Sequence, residues 1–219
     1  MGFNSFEAVI RENGNKKVFP LWAYRVAALF ILYAVFGGLY LTINKFQMDK
    51  IGIMLPTPID DWMAFNRHWV WFYYLYFLVI GVPFLLLKNR RDITKAIAAY
   101  SVTAAISLTF YALLRTQIIR PEVIGNDLSA KLVRAMYRWD NPYNCFPSQH
   151  VANSFTAAFI LLERKRIWGI VGFVAALLIS LSTIFIKQHW FMDFPGGLTV
   201  AIIAYIVVYR WWLRQANEK

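Results

Sequence analysis

The stretch Phe146-Pro147-Ser148-Gln149-His150 is a short polar break in a very apolar chain. We predict that it opens a helix, because proline suits the first helical turn, where its missing N–H is no loss. A serine at this point can satisfy one of the free N–H groups of that turn. A helix N-terminus also favours anions through its spare N–H donors and its dipole. His150 would therefore lie beside an anion site.

The composition predicts a membrane protein. Of 219 residues, 59% are hydrophobic and 16% are charged, whereas a soluble domain has about 45–50% apolar and about 25% charged residues. Runs of about 20 apolar residues support the same interpretation. The first run, from Leu21, is too long for a signal peptide and lacks a cleavage motif behind it, so we interpret it as a retained span. The single cysteine, Cys145, excludes an intramolecular disulfide framework.

We predict an all-α polytopic protein in which residues 1–219 form one membrane-embedded domain with six transmembrane helices. The predicted spans are 21–43, 69–87, 93–114, 148–162, 167–186 and 194–212. Residues 1–20 have apolar side chains at helical spacing, which suggests an interfacial helix, although a disordered tail is the alternative. The polar loop 115–147 contains a second amphipathic pattern, with Leu128, Val133 and Met136 on one face, which is typical of a basic helix on the membrane surface.

The distribution of charge predicts an orientation. Six spans place both termini on one side, and basic residues are more frequent in the short segments on that side, which favours cytoplasmic termini. The net charge of +11 fits this bias and attraction to anionic membrane lipids. We disfavour nucleic-acid binding, because the basic residues lie in loops between spans and form no soluble module. The retained first span and the lack of an organelle signal favour a bacterial inner membrane. The oligomeric state is not predicted.

Two of the three histidines are expected at the same, extracytoplasmic face. His150 begins the fourth predicted span and His189 follows the fifth, whereas His68 precedes an aromatic run and is interpreted as an interface residue. Asp193 stands four residues after His189, so its carboxylate can accept a hydrogen bond from the imidazole. A carboxylate so placed orients the ring and stabilises the imidazolium. The other ring nitrogen is then free to act as a nucleophile.

Basic residues are predicted to reach the same face, namely Arg115, Arg120 and Lys187. Ionisable groups at membrane depth are costly and usually functional. Two histidines, a carboxylate, fixed cations and a helix N-terminus indicate a phosphoryl-transfer site that needs no metal and no cofactor. The paired acids Asp60 and Asp61, by contrast, are interpreted as solvated loop residues.

Three motifs at span ends resemble a known family signature. They are Arg120-Pro121, then Pro147-Ser148-Gln149-His150, then His189 with Asp193. In order and placement they resemble the type 2 phosphatidic acid phosphatase (lipid phosphate phosphatase) superfamily, over about residues 70–215. The stretch from Asp140 to His150 also resembles the branch that contains inositol-phosphorylceramide-synthase-like transferases.

The resemblance implies a role for each motif residue. His189 would attack phosphorus and form a phosphohistidine, with Asp193 orienting its ring. His150 would protonate the leaving alcohol and then act as base for the incoming water or alcohol. Arg120 and the hydroxyl and N–H of Ser148 would hold the phosphate.

The chain departs from the family pattern at three positions. The usual lysine of the first motif is replaced by Leu113, the usual arginine of the third by Thr183, and the glycine before the motif histidine by Gln149. We predict that Arg115 and Lys187 replace the two cations. Gln149 is then predicted to contribute to a narrower phosphate pocket with different hydrogen bonds.

The favoured function is a lipid phosphatase that acts on a phosphomonoester or diphosphate. Candidate substrates are phosphatidic acid, phosphatidylglycerophosphate and isoprenyl diphosphate, and the other expected partners are membrane lipids. The first alternative is a phosphotransferase that passes the phosphate headgroup to an alcohol. The second is a non-enzymatic transporter or scaffold, which we disfavour because the polar groups gather at one end of the spans, not at the midplane.

Overall fold

The computed structural model describes residues 19–48 and 51–210, so the predicted interfacial segment 1–20 lies almost wholly outside the described residues. Within these ranges the predicted all-α class is confirmed, and the only strand-like pairings are isolated bridges. The helices are α1 (Leu21–Phe46), α2 (Pro58–Trp62), α3 (Val70–Val79), α4 (Val82–Leu86), α5 (Arg90–Leu113), α6 (Leu128–Trp139), α7 (Gln149–Arg164), α8 (Arg166–Phe185) and α9 (Asp193–Arg210). Short π-helical segments lie inside α1 and at the end of α9.

Four of the described helices are long and apolar enough to cross a membrane, and they are α1, α5, α8 and α9. The other two predicted spans correspond to α3 with α4 and to α7. Helix α7 has 16 residues and is about 24 Å long, which is shorter than a hydrocarbon core of about 30 Å. The six-span layout therefore stays a prediction.

The second predicted span is broken into two helices, α3 and α4, at Ile80 and Gly81. Pro83 lies in the first turn of α4, and without an N–H it cannot bond the carbonyl of the preceding turn. The Tyr100 hydroxyl on α5 donates to the Ile80 carbonyl at 2.9 Å. The break is thus stabilised by a neighbouring helix.

Helix α7 is the centre of the fold. It contacts α3, α4, α5, α8 and α9, and nearly all of its residues up to Leu161 are buried. A helix that is buried all round must satisfy its polar side chains within the protein, and the hydroxyls of Thr156 and Thr103 lie 3.1 Å apart. Because α7 is fixed on all sides, the position of its first turn is also fixed.

Small residues allow the neighbouring helices to approach α7 closely. A Cβ on Gly172 of α8 would lie 3.2 Å from the Ala158 Cα. At the start of α9, a Cβ on Gly197 would collide with the Ser148 carbonyl oxygen and lie 2.7 Å from the Val151 Cβ. Glycine at this position therefore lets the N-termini of α7 and α9 meet.

The short helix predicted in loop 115–147 is present as α6, but its surroundings differ from the prediction. Its apolar side chains Ala130, Val133 and Met136 are buried in a cluster with Val70 and Tyr73 of α3. A surface covered by α3 is not available to lipid. The amphipathic pattern here reflects packing on protein.

The prediction that Asp60 is solvated is wrong. Its side chain is buried and accepts hydrogen bonds from the Thr57 N–H at 2.7 Å and the Phe191 N–H at 2.8 Å. The first bond belongs to the capping box that starts α2, and the second ties α2 to the turn that follows His189. Asp61 is exposed, as expected.

Candidate active site

Two buried histidines touch each other at the N-terminal end of α7. His150 is the second residue of α7, and His189 lies in the turn between α8 and α9. The His150 Nδ1 is 3.2 Å from the His189 Nε2. The structure thus brings together two residues that are 39 positions apart in the sequence.

Asp193 is the first residue of α9 and lies behind His189. Its Oδ2 is 3.1 Å from the His189 Nδ1 and accepts the Trp190 N–H at 2.9 Å. A carboxylate against Nδ1 favours the tautomer with the proton on that nitrogen. In this tautomer the lone pair of the His189 Nε2 faces the His150 Nδ1 and can accept a hydrogen bond from it. The other oxygen, Oδ1, is buried and has no partner among the described residues.

Aromatic rings fix the orientation of the His150 imidazole. The centres of the Tyr73 and Tyr76 rings lie 4.8 Å and 4.6 Å from that of the imidazole. The Tyr76 hydroxyl in turn accepts a hydrogen bond from the Asn153 amide at 2.9 Å. Both tyrosines belong to α3, so this helix positions the imidazole of His150.

Arg120 lies beside the residue that precedes His189. Its guanidinium donates to the Gln188 Oε1 at 2.5 Å, to the Asp140 carbonyl at 2.6 Å and to the Tyr137 carbonyl at 3.3 Å. It also stacks on the Tyr137 ring at 4.3 Å. Its Nε is buried without a partner among the described residues. The two terminal nitrogens of Arg120 therefore fix its position, while its Nε–H has no acceptor among the described residues.

Asp140 lies beside Arg120 and Gln188, although its motif led to no predicted role for it at the site. Its Oδ1 accepts the Tyr40 hydroxyl at 2.9 Å, and its Oδ2 accepts the Gln188 amide at 2.5 Å. Burial raises the pKa of this carboxyl, while nearby Arg120 and the two hydrogen bonds act in the opposite direction. Two features of the sequence could have indicated this contact, namely the place of Asp140 in its motif and the place of Gln188 next to His189. Tyr40 gave no signal within its apolar span.

Ser148 is the N-cap of α7, as the sequence predicts. Its Oγ accepts the Val151 N–H at 3.4 Å, and its own N–H donates to the Asp193 carbonyl at 3.1 Å. Both polar groups are thus used inside the protein, where they join the start of α7 to the start of α9. The Gln149 side chain lies next to His150 in the wall of a cavity.

Among the described residues, the hydrogen bonds of the two cations proposed as replacements do not involve the histidine pair. The Lys187 Nζ donates to the carbonyls of Asp60 and Met63, at 3.2 Å and 2.6 Å, and so ties α2 to the turn before His189. The Arg115 carbonyl accepts the Ile53 N–H at 2.7 Å, while its Nε is buried without a partner in the described ranges. Phosphate binding by either residue stays a prediction.

A cavity of about 520 Å³ has His150 in its wall. It lies between α1, α3, the end of α6 and the start of α7, and most of its lining is aliphatic or aromatic. Its polar side chains, the tyrosines apart, are Asp140, Gln149, His150 and Asn153. His189 and Asp193 do not line it. The cavity therefore reaches the pair from the His150 side.

A bundle of apolar helices with two buried histidines in contact, and a carboxylate behind one of them, defines a class of integral membrane protein with a histidine-based site. The model of the PAP2 superfamily matches residues 8–216 of the chain. The chain belongs to the PAP2 superfamily.

The relatives that match are distant. A PA-phosphatase related-family protein of Dictyostelium discoideum is 27% identical over 149 residues, which are 68% of this chain and 24% of that protein. An uncharacterized protein of Methanocaldococcus jannaschii is 25% identical over 196 residues, 83% of this chain and 81% of that protein. The chain thus spans about a quarter of the first relative. The crystal structure of LpxE from Aquifex aeolicus is 20% identical, with a TM-score of 0.48 and coverage of 79% of this chain and 93% of that one.

Proposed function

We propose that this protein is an integral-membrane lipid phosphatase that works through a phosphohistidine on His189. The observation that carries the proposal is the line of three side chains, in which Asp193 bonds the His189 Nδ1 and the His189 Nε2 faces His150. Such a line presents an oriented nucleophile and a proton donor to one phosphate.

In the first step the phosphate enters between the two rings. The lone pair of the His189 Nε2 attacks phosphorus, and the bond from phosphorus to the leaving oxygen breaks. His150 gives its proton to that oxygen, and the lipid alcohol departs. Asp193 stabilises the positive charge that develops on the His189 ring.

In the second step the phosphohistidine is hydrolysed. His150, now unprotonated, takes a proton from water as the water oxygen attacks phosphorus. The bond from phosphorus to the His189 Nε2 breaks, inorganic phosphate leaves, and His150 is again protonated. Each histidine thus returns to its starting state.

The phosphate oxygens need donors that do not themselves react. The Nε of Arg120 is buried without a partner among the described residues, and a guanidinium is well suited to phosphate. The N-terminus of α7 adds the free N–H groups of its first turn. Positioning and electrostatics from such groups supply most of the catalysis in phosphoryl transfer.

The cavity supports a lipid as the leaving alcohol. It is largely apolar, it has room for part of an alkyl chain, and it reaches His150, the proposed acid. Phosphatidic acid, phosphatidylglycerophosphate and isoprenyl diphosphate fit this description. We place the site at the extracytoplasmic face, with both termini in the cytoplasm, in the inner membrane of a bacterium.

One observation favours a second candidate, a lipid phosphotransferase. The Asp140 carboxylate lies in the cavity wall beside His150, where an acceptor alcohol in place of water would enter. Asp140 also belongs to the stretch that resembles inositol-phosphorylceramide-synthase-like proteins. Both candidates share the phosphohistidine and differ only in the group that takes the phosphate.

A panel of lipid phosphates tests the proposal. Purified protein in detergent receives each candidate lipid, with EDTA and with or without an alcohol acceptor, and both phosphate and headgroup products are measured. We expect release of inorganic phosphate in EDTA. Headgroup exchange without phosphate release would replace the phosphatase by the transferase, and the absence of both reactions would refute each of them.

A further inference from the structure

The wall of the cavity beside His150 carries a buried carboxylate that the proposed mechanism does not use. Asp140 is 7% exposed, and it shares this wall with His150 and Gln149. An ionised carboxylate accepts about four hydrogen bonds, and the side chains of Tyr40 and Gln188 supply two. Acceptor capacity therefore remains at a point where a ligand can reach it.

This carboxylate is not simply the ion-pair partner of Arg120. The salt bridges among the described residues do not include this pair. Arg120 bonds instead to the Asp140 backbone carbonyl and to Gln188, whose amide group separates the guanidinium from the carboxylate. The arrangement keeps the positive charge free for phosphate and the acceptor oxygens free for another group.

The geometry of phosphoryl transfer indicates which part of the substrate meets the free acceptor oxygens of Asp140. The nucleophile and the leaving oxygen lie on opposite sides of phosphorus, so with His189 attacking, the leaving alcohol lies on the His150 side. His150 and Asp140 line the cavity on that side, whereas His189 does not. The group that meets Asp140 is therefore part of the alcohol and not of the phosphate.

The charges around Asp140 favour an uncharged hydrogen-bond donor on the substrate. A phosphate group in direct contact with Asp140 would be repelled by the carboxylate. An ammonium group at this place would lie near the positive guanidinium of Arg120, which is joined to the carboxylate through Gln188 and would repel it. A hydroxyl group donates one hydrogen bond without adding charge, and it fits an acceptor whose other bonds come from a phenol and an amide.

We propose that Asp140 binds a hydroxyl group on the alcohol that carries the phosphate, and that the preferred substrates are lipid phosphates with such a neighbouring hydroxyl. The inference rests on the proposed function and narrows its substrate class. Among the candidates, phosphatidylglycerophosphate has a hydroxyl beside the ester that is cleaved, and phosphatidic acid does not.

The test compares these two lipids with matched acyl chains in the wild type, Asp140→Asn and Tyr40→Phe. The readout is the ratio of kcat/KM for phosphatidylglycerophosphate to kcat/KM for phosphatidic acid. Because a hydrogen bond to a charged group is typically strong, we expect a wild-type ratio of about 10 or more. Asp140→Asn should reduce the ratio at least about fivefold. Tyr40→Phe, which removes a bond to Asp140 and keeps the carboxylate, should not reduce it.

Each other outcome has a defined meaning. A wild-type ratio near one, with phosphatidic acid cleaved, overturns the hydroxyl inference and leaves the phosphatase standing. An unchanged ratio in Asp140→Asn, or an equal loss for both lipids in both variants, shows a structural role and overturns the inference too. Phosphate release from neither lipid by the wild type overturns the hydroxyl inference. The proposed function is refuted only if isoprenyl diphosphate in the full panel also yields neither phosphate nor headgroup exchange.

Discussion

The state of one imidazole determines whether the site can work. In the proposed mechanism the His189 Nε2 can attack only with its lone pair exposed. The Asp193 Oδ2, at 3.1 Å from the His189 Nδ1, favours the tautomer with the proton on Nδ1. The same oxygen accepts the Trp190 N–H, which fixes the carboxylate in turn. Proton position, ring orientation and turn geometry thus depend on a single side chain.

We predict that Asp193→Asn lowers kcat by about 10²- to 10⁴-fold, because a neutral amide no longer stabilises the positive charge that develops on the His189 ring. The asparagine oxygen can still accept the Trp190 N–H, so the fold should persist. Phosphate-release kinetics and a thermal unfolding midpoint measure the two effects. Asp61→Asn, at an exposed carboxylate, is the matched control. An Asp193→Asn enzyme with the wild-type rate would remove Asp193 from the mechanism.

The residues of the histidine pair were predictable, because chemistry and span alternation place them on one face. The hydrogen-bond partners of Arg120 were not. Gln188 and Asp140 meet Arg120 only after the loop 115–147 has folded back on the turn before α9, and no spacing in the sequence indicates such a contact. For Lys187 the sequence pattern predicted phosphate binding from the positive charge. In the structure its ammonium group donates to two backbone carbonyls.

At the scale of the helices, the contact between α7 and α9 sets the distance between the two histidines. The Ser148 N–H bonds the Asp193 carbonyl, and Gly197 lies against Ser148 and Val151 without room for a side chain. The start of each helix therefore carries one proposed catalytic residue, His150 or Asp193, and one residue that makes the contact between the helices.

We predict that Gly197→Ala separates the two helix starts and lowers activity at least tenfold. Overpacking of this kind also costs about 1–3 kcal/mol of stability, so the thermal midpoint should fall. Gly38→Ala is the control for stability, because a Cβ on Gly38 would have no neighbour within 4 Å, and it should not lower the midpoint. Wild-type activity and stability in Gly197→Ala would show that this close contact is not needed.

A second prediction at this scale concerns the cavity. Gly38 lines it and has open space around it, so Gly38→Leu should fill part of the cavity without a clash. Each methylene that can no longer be buried costs about 0.8 kcal/mol. We therefore expect KM to rise at least tenfold for a long-chain lipid phosphate relative to a short-chain analogue. An equal change for both chain lengths would show that the cavity does not bind the chain.

The helices themselves were largely predictable from apolar runs, and the exceptions have local causes. The break between α3 and α4 was signalled by Gly81 and Pro83, but the aromatic run before them suggested one continuous span. The apolar face of α6 was assigned to lipid because a sequence pattern does not distinguish burial against lipid from burial against protein.

At the scale of the whole molecule, polar groups gather at the two ends of the bundle. One end holds the histidine pair, and the other holds the ion pair of Asp92 with Arg164 at 3.0 Å. This second end carries the basic segments that favour the cytoplasm. The proposed active site and the basic segments thus lie at opposite ends of the helix bundle.

Site-directed labelling tests the orientation. The sole cysteine, Cys145, is buried, so introduced cysteines can be followed with little background. We predict that a membrane-impermeant maleimide labels Asn126→Cys, at the site end, in intact cells, and labels Lys88→Cys only after the membrane is opened. The reverse pattern would place the site in the cytoplasm.

The central claim is that His189 carries the phosphate between the two steps. Rapid quenching of the enzyme with a ³²P-labelled lipid phosphate, followed by peptide mapping, tests it most directly. We predict an acid-labile, base-stable phosphate on the peptide with His189, absent in His189→Ala and retained in His68→Ala, whose histidine is exposed. Phosphate release by His189→Ala at the wild-type rate, or a label on another residue, would contradict the account.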